Sequence, residues 1–372
     1  PPELHGMQTG VLADMTNYIV KNRAPVFSLL ISRRGHLVYE LYTHNLTRNH
    51  NHYLLSVTKS FTATLVGLAI DKGLIKSVDQ SITEILPAEF FASPAEQKRF
   101  SNITVKQVLA MSALDALVPP HALTPEAEKR NSDFHAATNR AKFALTQKLL
   151  KNPGEDFQYQ DITPSIAIGL VTAASGKTSW EFAKENLFDP MGFVNTEWTH
   201  RDADGLDLGA YGLRLRPIDM QKFGILYLDK GVFDGKKLLS KEWSALVNKP
   251  VIKSDPNIAK PNYGYYFWHP YFYSDEKALL ASGWRGQFIA VVPEKDLVVT
   301  MTGCFGDGSE NEFFLKLLNS YVFPSVSAGA QRKGGSQALR AALSQALSST
   351  PVDLKAIEER MVPLLPVGKP AR

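Results

Sequence analysis

The sequence predicts a two-lobed α/β protein, with an antiparallel sheet flanked by helices and a mainly helical lobe inserted into it. Three observations predict this. Runs rich in strand-forming residues stand near both ends of the core, at 25–42 and 263–303. A long, mostly helical stretch separates them. Each strand region has a helix-patterned neighbour, at 8–22 and 311–323. Split strand regions that pair into one sheet leave the intervening residues as an insertion. On that reading 1–75 is the first part of the α/β lobe and 76–257 the mainly helical lobe. Residues 258–326 return to the α/β lobe, and 327–372 form a linker and a short helical C-terminal tail. A site is expected in the cleft between lobes.

Each element has its own signal. In QTGVLADMTNYIVKN (8–22), Val11, Met15, Ile19 and Val20 share one face of an amphipathic helix. PVFSLLISRRG (25–35) and HLVYELY (36–42) read as a hairpin turning at Arg33-Arg34-Gly35. SFTATLVGLAIDKGLI (60–75) reads as a buried helix ending at Gly73. The polar, proline-containing stretch 118–132 is expected to be a loop. YGYYFWHP (263–270) and LLASGWRGQFIAVVPEKDLVVTMTG (279–303) have strand character, the latter punctuated by Gly286 and a turn at Pro293–Asp296. NEFFLKLLNSYVF (311–323) reads as a core helix. The tail past the small-residue linker 327–336 is expected to pack as helix on the lobe surface.

Composition narrows the function. The 372 residues are 44% hydrophobic and 21% charged, which suits a soluble globular chain. The net charge of +4 is slight, and no basic stripe interleaved with aromatics suggests nucleic acid. A single cysteine, Cys304, excludes an internal disulfide and a multi-cysteine metal site. No apolar run reaches the length of a membrane span. The chain opens at Pro1 with no signal sequence ahead of it. A processed periplasmic or secreted protein is the expectation, with the cytoplasm as the alternative.

Three segments carry candidate chemistry. Ser56-Val57-Thr58-Lys59 opens the predicted buried helix. Residues three apart share a helix face, so Lys59 lies beside Ser56 and could take its proton. The helix N-terminus favours negative charge nearby, where an oxyanion would form. Alone the pattern is weak, and an ordinary helix start explains it as well. Ser274-Asp275-Glu276-Lys277 is a second match, in a polar stretch. Pro153-Gly154 leads to Tyr159 and Asp161; a phenol there could relay a proton or simply seal a loop against the core. Ser282-Gly283-Trp284-Arg285-Gly286 places glycines in a strand pattern, marking either a ligand's close approach or a β-bulge. Other apparent motifs fail. Gly176-Lys177-Thr178 ends like a phosphate loop but has Val171 where glycine is needed. Asp202, Asp204 and Asp207 lack the turn glycine and terminal glutamate of a calcium loop. Neither G-x-S-x-G nor H-E-x-x-H occurs, and the histidines read as ordinary surface or core residues.

In order and surroundings, these segments resemble the serine β-lactamase and penicillin-binding superfamily, in particular its class C-like branch with family VIII esterases, D-aminopeptidases and 6-aminohexanoate-dimer hydrolases. The resemblance spans about 8–325. It rests on LLSVTKSFTATLVGLAIDKGLI (54–75), ITVKQVLAMSA (103–113), PGEDFQYQD (153–161), ASGKTSWEFAKENLFDPMGFVNTEW (174–198) and GLRLRPIDMQKFGILYLDKGVFDGKKLLSKEW (212–243). It implies the β-lactamase-like fold, with Ser56 as acylated nucleophile and Lys59 as its base or proton partner. Tyr159 matches the tyrosine of the family's Y-x-N motif. The backbone N–H groups of Ser56 and Trp284 would form the oxyanion hole. Asp161, Ser282, Gly283, Arg285 and Gly286 would border the substrate. No cofactor and no metal are implied.

Two departures stand out. Asp161 replaces the usual asparagine, which is expected to tighten its contact with Lys59 and raise the lysine's pKa. Ala281 replaces the lysine of the family's Lys-Thr-Gly strand, with Arg285 as a candidate substitute cation. Trp284, Phe288 and Tyr265 are expected to line an apolar wall for the acyl group. The resulting expectation is a serine hydrolase acting on small amides, peptides or esters through an acyl-enzyme. The alternatives are a non-catalytic or single-turnover penicillin-binding sensor and a D-alanyl peptidase.

Overall fold

The structure is a computed structural model describing residues 1–115, 124–257, 260–270, 277–326, 333–348, 353, 356 and 357. Its principal elements run in chain order. The first half holds α1 (Thr9–Lys21), β1 (Val26–Arg33), β2 (His36–Tyr42), α2 (Val57–Asp71), α3 (Pro125–Ala136) and α4 (Thr163–Ser175). The second holds α5 (Pro217–Leu228), α6 (Lys241–Val247), β3 (Tyr263–Gly264), β4 (Phe267–Trp268), β5 (Leu279–Gly283), β6 (Gln287–Val292), β7 (Leu297–Gly303), α7 (Glu310–Leu317) and α8 (Gly335–Leu347).

The chain divides into two compact units. One gathers 1–53, 215–229 and the described part of 270–363; the other gathers 54–214 and 230–269. This division differs from the one drawn from sequence patterning. Helix α2 clusters with the helical unit, and α5 clusters with the sheet.

The sheet unit has strand order β2-β1-β7-β6-β5, antiparallel throughout. All eight residues of β1 are buried, as a central strand covered on both faces requires. Leu29 faces Leu41 on one side and Met301 on the other. One face is covered by α5. Gly224 allows this approach, since a Cβ there would sit 2.4 Å from Val298 and 3.0 Å from Ile289. Gln221 completes the contact, donating to the Val298 carbonyl at 2.9 Å and accepting from Thr300 at 2.8 Å. Phe288 alternates to the opposite face and stacks on Phe314 of α7 at 4.4 Å. Each such fully buried side chain contributes about 1.5–3 kcal/mol. Helix α8 lies on α1, where a Cβ on Gly335 would meet Thr9 at 2.7 Å.

The helical unit centres on α2, which is buried all round from Val57 to Ala69, its polar residues included. It packs against α4. It also packs against α6, where Trp243 occupies the space that a Gly67 Cβ would fill at 2.3 Å. The unit also holds the short β3–β4 hairpin.

Several expectations need correction. Leu12, Met15, Thr16 and Ile19 form the buried face of α1, while Val11 and Val20 are only half-buried. Thr16 turns inward because its hydroxyl pairs with Tyr39 at 2.9 Å. Part of the expected loop 118–132 is helix: α3 starts at Pro125, with Glu126 and Glu128 in its first turn and an i,i+4 pair between Lys129 and Asp133. Residues 118–123 lie outside the described residues. The expected strand at 263–270 is a hairpin folded back at Tyr265-Tyr266. Among the described residues no helix is long and apolar enough to cross a membrane.

Candidate active site

The helical unit brings Ser56, Lys59, Tyr159 and Asp161 together. Ser56 is the N-cap of α2, and Leu55 before it has φ +48. That left-handed residue costs about 1–2 kcal/mol and makes the sharp entry that sets Ser56 at the helix start. Ser56 is half-buried, whereas Lys59, one turn on, is 1% exposed.

The Lys59 ammonium spends its three donors on three acceptors. It donates to Ser56 Oγ at 2.9 Å, to Asp161 Oδ1 at 2.6 Å and to the Ala210 carbonyl at 3.1 Å. Its Nζ also stands 5.0 Å from the centroid of the Tyr159 ring. Burial pulls the lysine's pKa down, but Asp161 and Tyr159 outweigh it, and the net shift is upward. Lys59 is therefore held as a cation. The carboxylate at 161 does this: an asparagine would offer the same hydrogen bond without the charge.

Tyr159 is held by aromatic rings. Tyr263 meets it edge-on at 6.2 Å and Trp268 lies at 5.7 Å, with Phe157 packed on both. The hairpin carrying Tyr263 and Trp268 turns through Tyr265 and Tyr266, at φ +53 and +60. Two-residue turns of this kind normally take Asn-Gly, so each tyrosine costs about 1–2 kcal/mol.

Sequence reasoning missed three contributors here. The Ala210 carbonyl had no signal, since any residue supplies one. The Tyr211 hydroxyl pairs with His135 Nε2 at 2.8 Å. Burial first, and then Arg140, press the His135 pKa down to about 4, with Asp161 acting the other way. His135 thus belongs to the surroundings of the Lys59–Asp161 pair. The third is the Tyr265-Tyr266 turn, whose aromatic residues read as strand.

The remaining candidates, Ser282, Gly283, Trp284, Arg285 and Gly286, belong to the sheet unit. Gly283 pairs with Gln287, so the three residues between them form a hairpin loop and not a bulge. Arg285 at φ +63 and Gly286 at φ +102 make the turn, and a Gly286 Cβ would meet Phe305 at 2.9 Å. The Arg285 guanidinium lies over the Trp284 ring at 4.5 Å and beside Cys304 Sγ at 3.7 Å, while its backbone N–H donates to Glu310. Trp284 is 43% exposed. The expected apolar wall is not formed by its other two members. Phe288 is buried against Phe314, and Tyr265 is buried against Trp243.

The residues of the apparent phosphate-loop and calcium-loop motifs have structural roles. Gly176 caps α4 with φ +67. Asp202 and Asp207 accept from the Arg140 N–H and from Ser179, Trp180 and Arg201. Among the described residues no cluster of His, Cys, Asp and Glu could hold a metal. Ser274 lies outside the described residues.

A family model described as Beta-lactamase matches residues 11–303. The 6-aminohexanoate-dimer hydrolase of Paenarthrobacter ureafaciens is 24% identical over 225 residues, covering 58% of this chain and 55% of that protein. The chain spans between 31% and 55% of the length of the curated relatives it matches. Among solved structures, the octameric penicillin-binding protein homologue from Pyrococcus abyssi superposes with a TM-score of 0.63 at 18% identity, over 85% of this chain and 77% of that one. EstCE1, a hydrolase with promiscuous acyltransferase activity, gives a TM-score of 0.65 at 15% identity, over 84% of this chain and 99% of that one. At such identities the structural likeness is one of fold.

Proposed function

Because the chain belongs to the beta-lactamase family, we propose that it is a serine hydrolase whose Ser56 forms an acyl-enzyme with small amides or esters. The observation that carries this reading is the Lys59 ammonium bonded at once to Ser56 Oγ and Asp161. A cation there stabilises negative charge that develops beside it. Ser56 attacks the carbonyl carbon while its proton passes to the Tyr159 oxygen, which in this reading has already given up its own proton and carries a negative charge beside the Lys59 ammonium. The leaving amine or alcohol takes that proton as the carbon–heteroatom bond breaks. Water then repeats the sequence and releases the acid. The curated relative named a 6-aminohexanoate-dimer hydrolase supports small amides as substrates.

Ala281 argues against β-lactams as good substrates. It is buried in β5 and offers no cation to a carboxylate. Losing a charge-assisted contact of about 1.5–3 kcal/mol lowers the rate roughly ten- to a hundredfold. Arg285 is engaged with Trp284 and Cys304. Nitrocefin should therefore be turned over far less efficiently than p-nitrophenyl butyrate, and equal kcat/KM for the two would contradict this.

A second reading draws on the same contact. With Lys59 held charged, activation of the deacylating water would be slow, as in a protein that acylates once and stalls. Burst kinetics separate the two: a stalled protein releases one equivalent of product and stops. The primary test is intact-mass labelling with a fluorophosphonate. Ser56→Ala should abolish labelling and Ser274→Ala should retain it; labelling that survives Ser56→Ala would overturn the assignment.

A further inference from the structure

The turn end of the β1–β2 hairpin gathers positive charge that the sheet unit leaves unmatched. Arg33 closes β1, and Arg34 follows it in the turn. Arg33 is 9% exposed, and its Nε and Nη1 have no hydrogen-bond partner among the described residues. Burying a cation without a partner is costly, and buried polar groups in native proteins are nearly always paired. The position of Gly6 shows where this guanidinium points. A Cβ there would lie 3.9 Å from Arg33 Nη2 and 3.8 Å from both Nη1 and Nη2 of Arg34, so the two arginines converge on one spot. His36 pairs with Arg33 across the hairpin, which puts both side chains on one face of the sheet. The His36 ring meets His5 at 4.2 Å, and His5 ends the short 3-10 turn Pro2–His5 that leads into Gly6. Asp296 is the nearby acid, but its contact with Arg34 is through the backbone, its carbonyl accepting from the Arg34 N–H at 3.2 Å. Burial first, and then Arg34, hold the Arg33 pKa below its ordinary value, with Asp296 acting the other way. Among the described residues neither arginine forms an ion pair.

We propose that Arg33, Arg34, His5 and His36 form a binding site for a phosphate group. Two guanidinium groups and two imidazoles from two chain segments suit a tetrahedral dianion. Each guanidinium offers paired N–H donors to its oxygens, and each imidazole adds charge when protonated. Gly6, at φ +69, keeps a side chain out of the spot on which the arginines converge. Arg34 and His36 are exposed and free to swing onto the ion, while Arg33 is fixed in the wall beneath. The same chemistry has two sources. Leu4 and Leu37, 75% and 36% exposed, adjoin His5 and His36 in the chain. The phosphate is therefore either free in solution or a lipid headgroup, with the two leucines against the bilayer surface. None of these residues takes part in the chemistry assigned to Ser56, so the inference does not depend on that reading.

Isothermal titration of the full chain with inorganic phosphate, against chloride at equal ionic strength, tests the site. The proposal expects saturable binding of one phosphate group per chain in the wild type, weakened about tenfold in Arg34→Gln and abolished in Arg33→Met. Arg33→Met should keep or raise Tm without phosphate, because it removes a buried, unpaired cation. Phosphate should raise the Tm of the wild type and leave that of Arg33→Met unmoved. Arg34→Gln changes an exposed turn residue, so its folding is not at stake. Co-sedimentation with phosphatidylcholine vesicles, with and without phosphatidic acid, separates the two sources. A site for free phosphate binds the ion and ignores both vesicles. A headgroup site binds only the vesicles that contain phosphatidic acid, and Arg33→Met abolishes that binding. A wild type that binds neither phosphate nor these vesicles, or binding that Arg33→Met leaves at wild-type strength, overturns the proposal.

Discussion

The five strands of the sheet unit and the surroundings of Lys59 are built from similar residues under opposite rules. Within the strands of the sheet, local preference and final structure largely agree, and the left-handed non-glycine residues Arg34, Arg285 and Asp296 are confined to its turns. β1 is mostly apolar and wholly buried, Gln221 satisfies both ends of its amide, and Gly224 sits where a helix must approach a strand closely. Around Lys59 they disagree. A charged ammonium is 1% exposed, three residues adopt left-handed backbone without being glycine, and a buried tyrosine hydroxyl has no partner. Such costs persist where the surroundings over-determine them, and they gather at reacting sites. The contrast teaches where to look for chemistry: at the places where a well-packed protein breaks its own local rules.

The sharpest way to break the contrast is to treat the Lys59 region as structure. Lys59→Ala and Tyr159→Phe should each lower kcat about 10²- to 10⁴-fold, and the double variant should lose little more, since the two act as one proton-transfer unit. Independent, additive losses would show that one of them only packs. Next in size is Asp161→Asn, expected to lower kcat about tenfold and to change its pH dependence. The wild-type lysine's pKa is raised because Asp161 and Tyr159 outweigh burial. Without the carboxylate, burial acts with less opposition and the ammonium loses its proton at lower pH. Activity that needs the ammonium should then decline at lower pH than in the wild type, and an unmoved basic limb would contradict the role given to Asp161.

In the sheet unit, Gly224→Ala forces a Cβ to within 2.4 Å of Val298. It should cost about 1–3 kcal/mol in urea unfolding while leaving the kcat of folded protein unchanged. A loss of kcat at full folding would mean that the two regions are not as separable as drawn. The smallest effect is a pH dependence of stability. Burial holds His135 and His200 at pKa values of about 4, so both are neutral in the folded chain. The unfolded chain takes up these protons from about pH 6.5 downward. The stability they contribute is present above that value and lost as the pH falls toward 4. The midpoint of urea unfolding should drop over this window, and His135→Gln with His200→Gln should flatten the drop.

Much of the fold was legible in the sequence because periodicity survives wherever one preference dominates. The β1–β2 hairpin and its turn at Arg34-Gly35, the buried α2, and the β5–β7 meander all fall where alternation and turn residues place them. The failures are of another kind. α3 opens on a proline and is stabilised by its own charges, which composition reads as loop. Tyr265 and Tyr266 prefer strands, and only the pull of Ser60, Leu109 and Trp243 turns them back. At the site, the i,i+3 spacing was enough to pair Ser56 with Lys59, and the Asp161 departure was enough to expect a charged lysine. The Ala210 carbonyl and the Tyr211–His135 pair were invisible, because they arise from segments far apart in the chain.

The central claim is that Ser56 carries an acyl group during turnover. The direct measurement is to mix the protein with p-nitrophenyl butyrate, quench in acid within the first turnover, and map the adduct by peptide mass spectrometry, comparing wild type with Tyr159→Phe to slow deacylation. The account predicts a butyryl group on the peptide containing Ser56, together with continued release of p-nitrophenol beyond one equivalent in the wild type. A butyryl group on any other residue, or sustained turnover by Ser56→Ala, would contradict it.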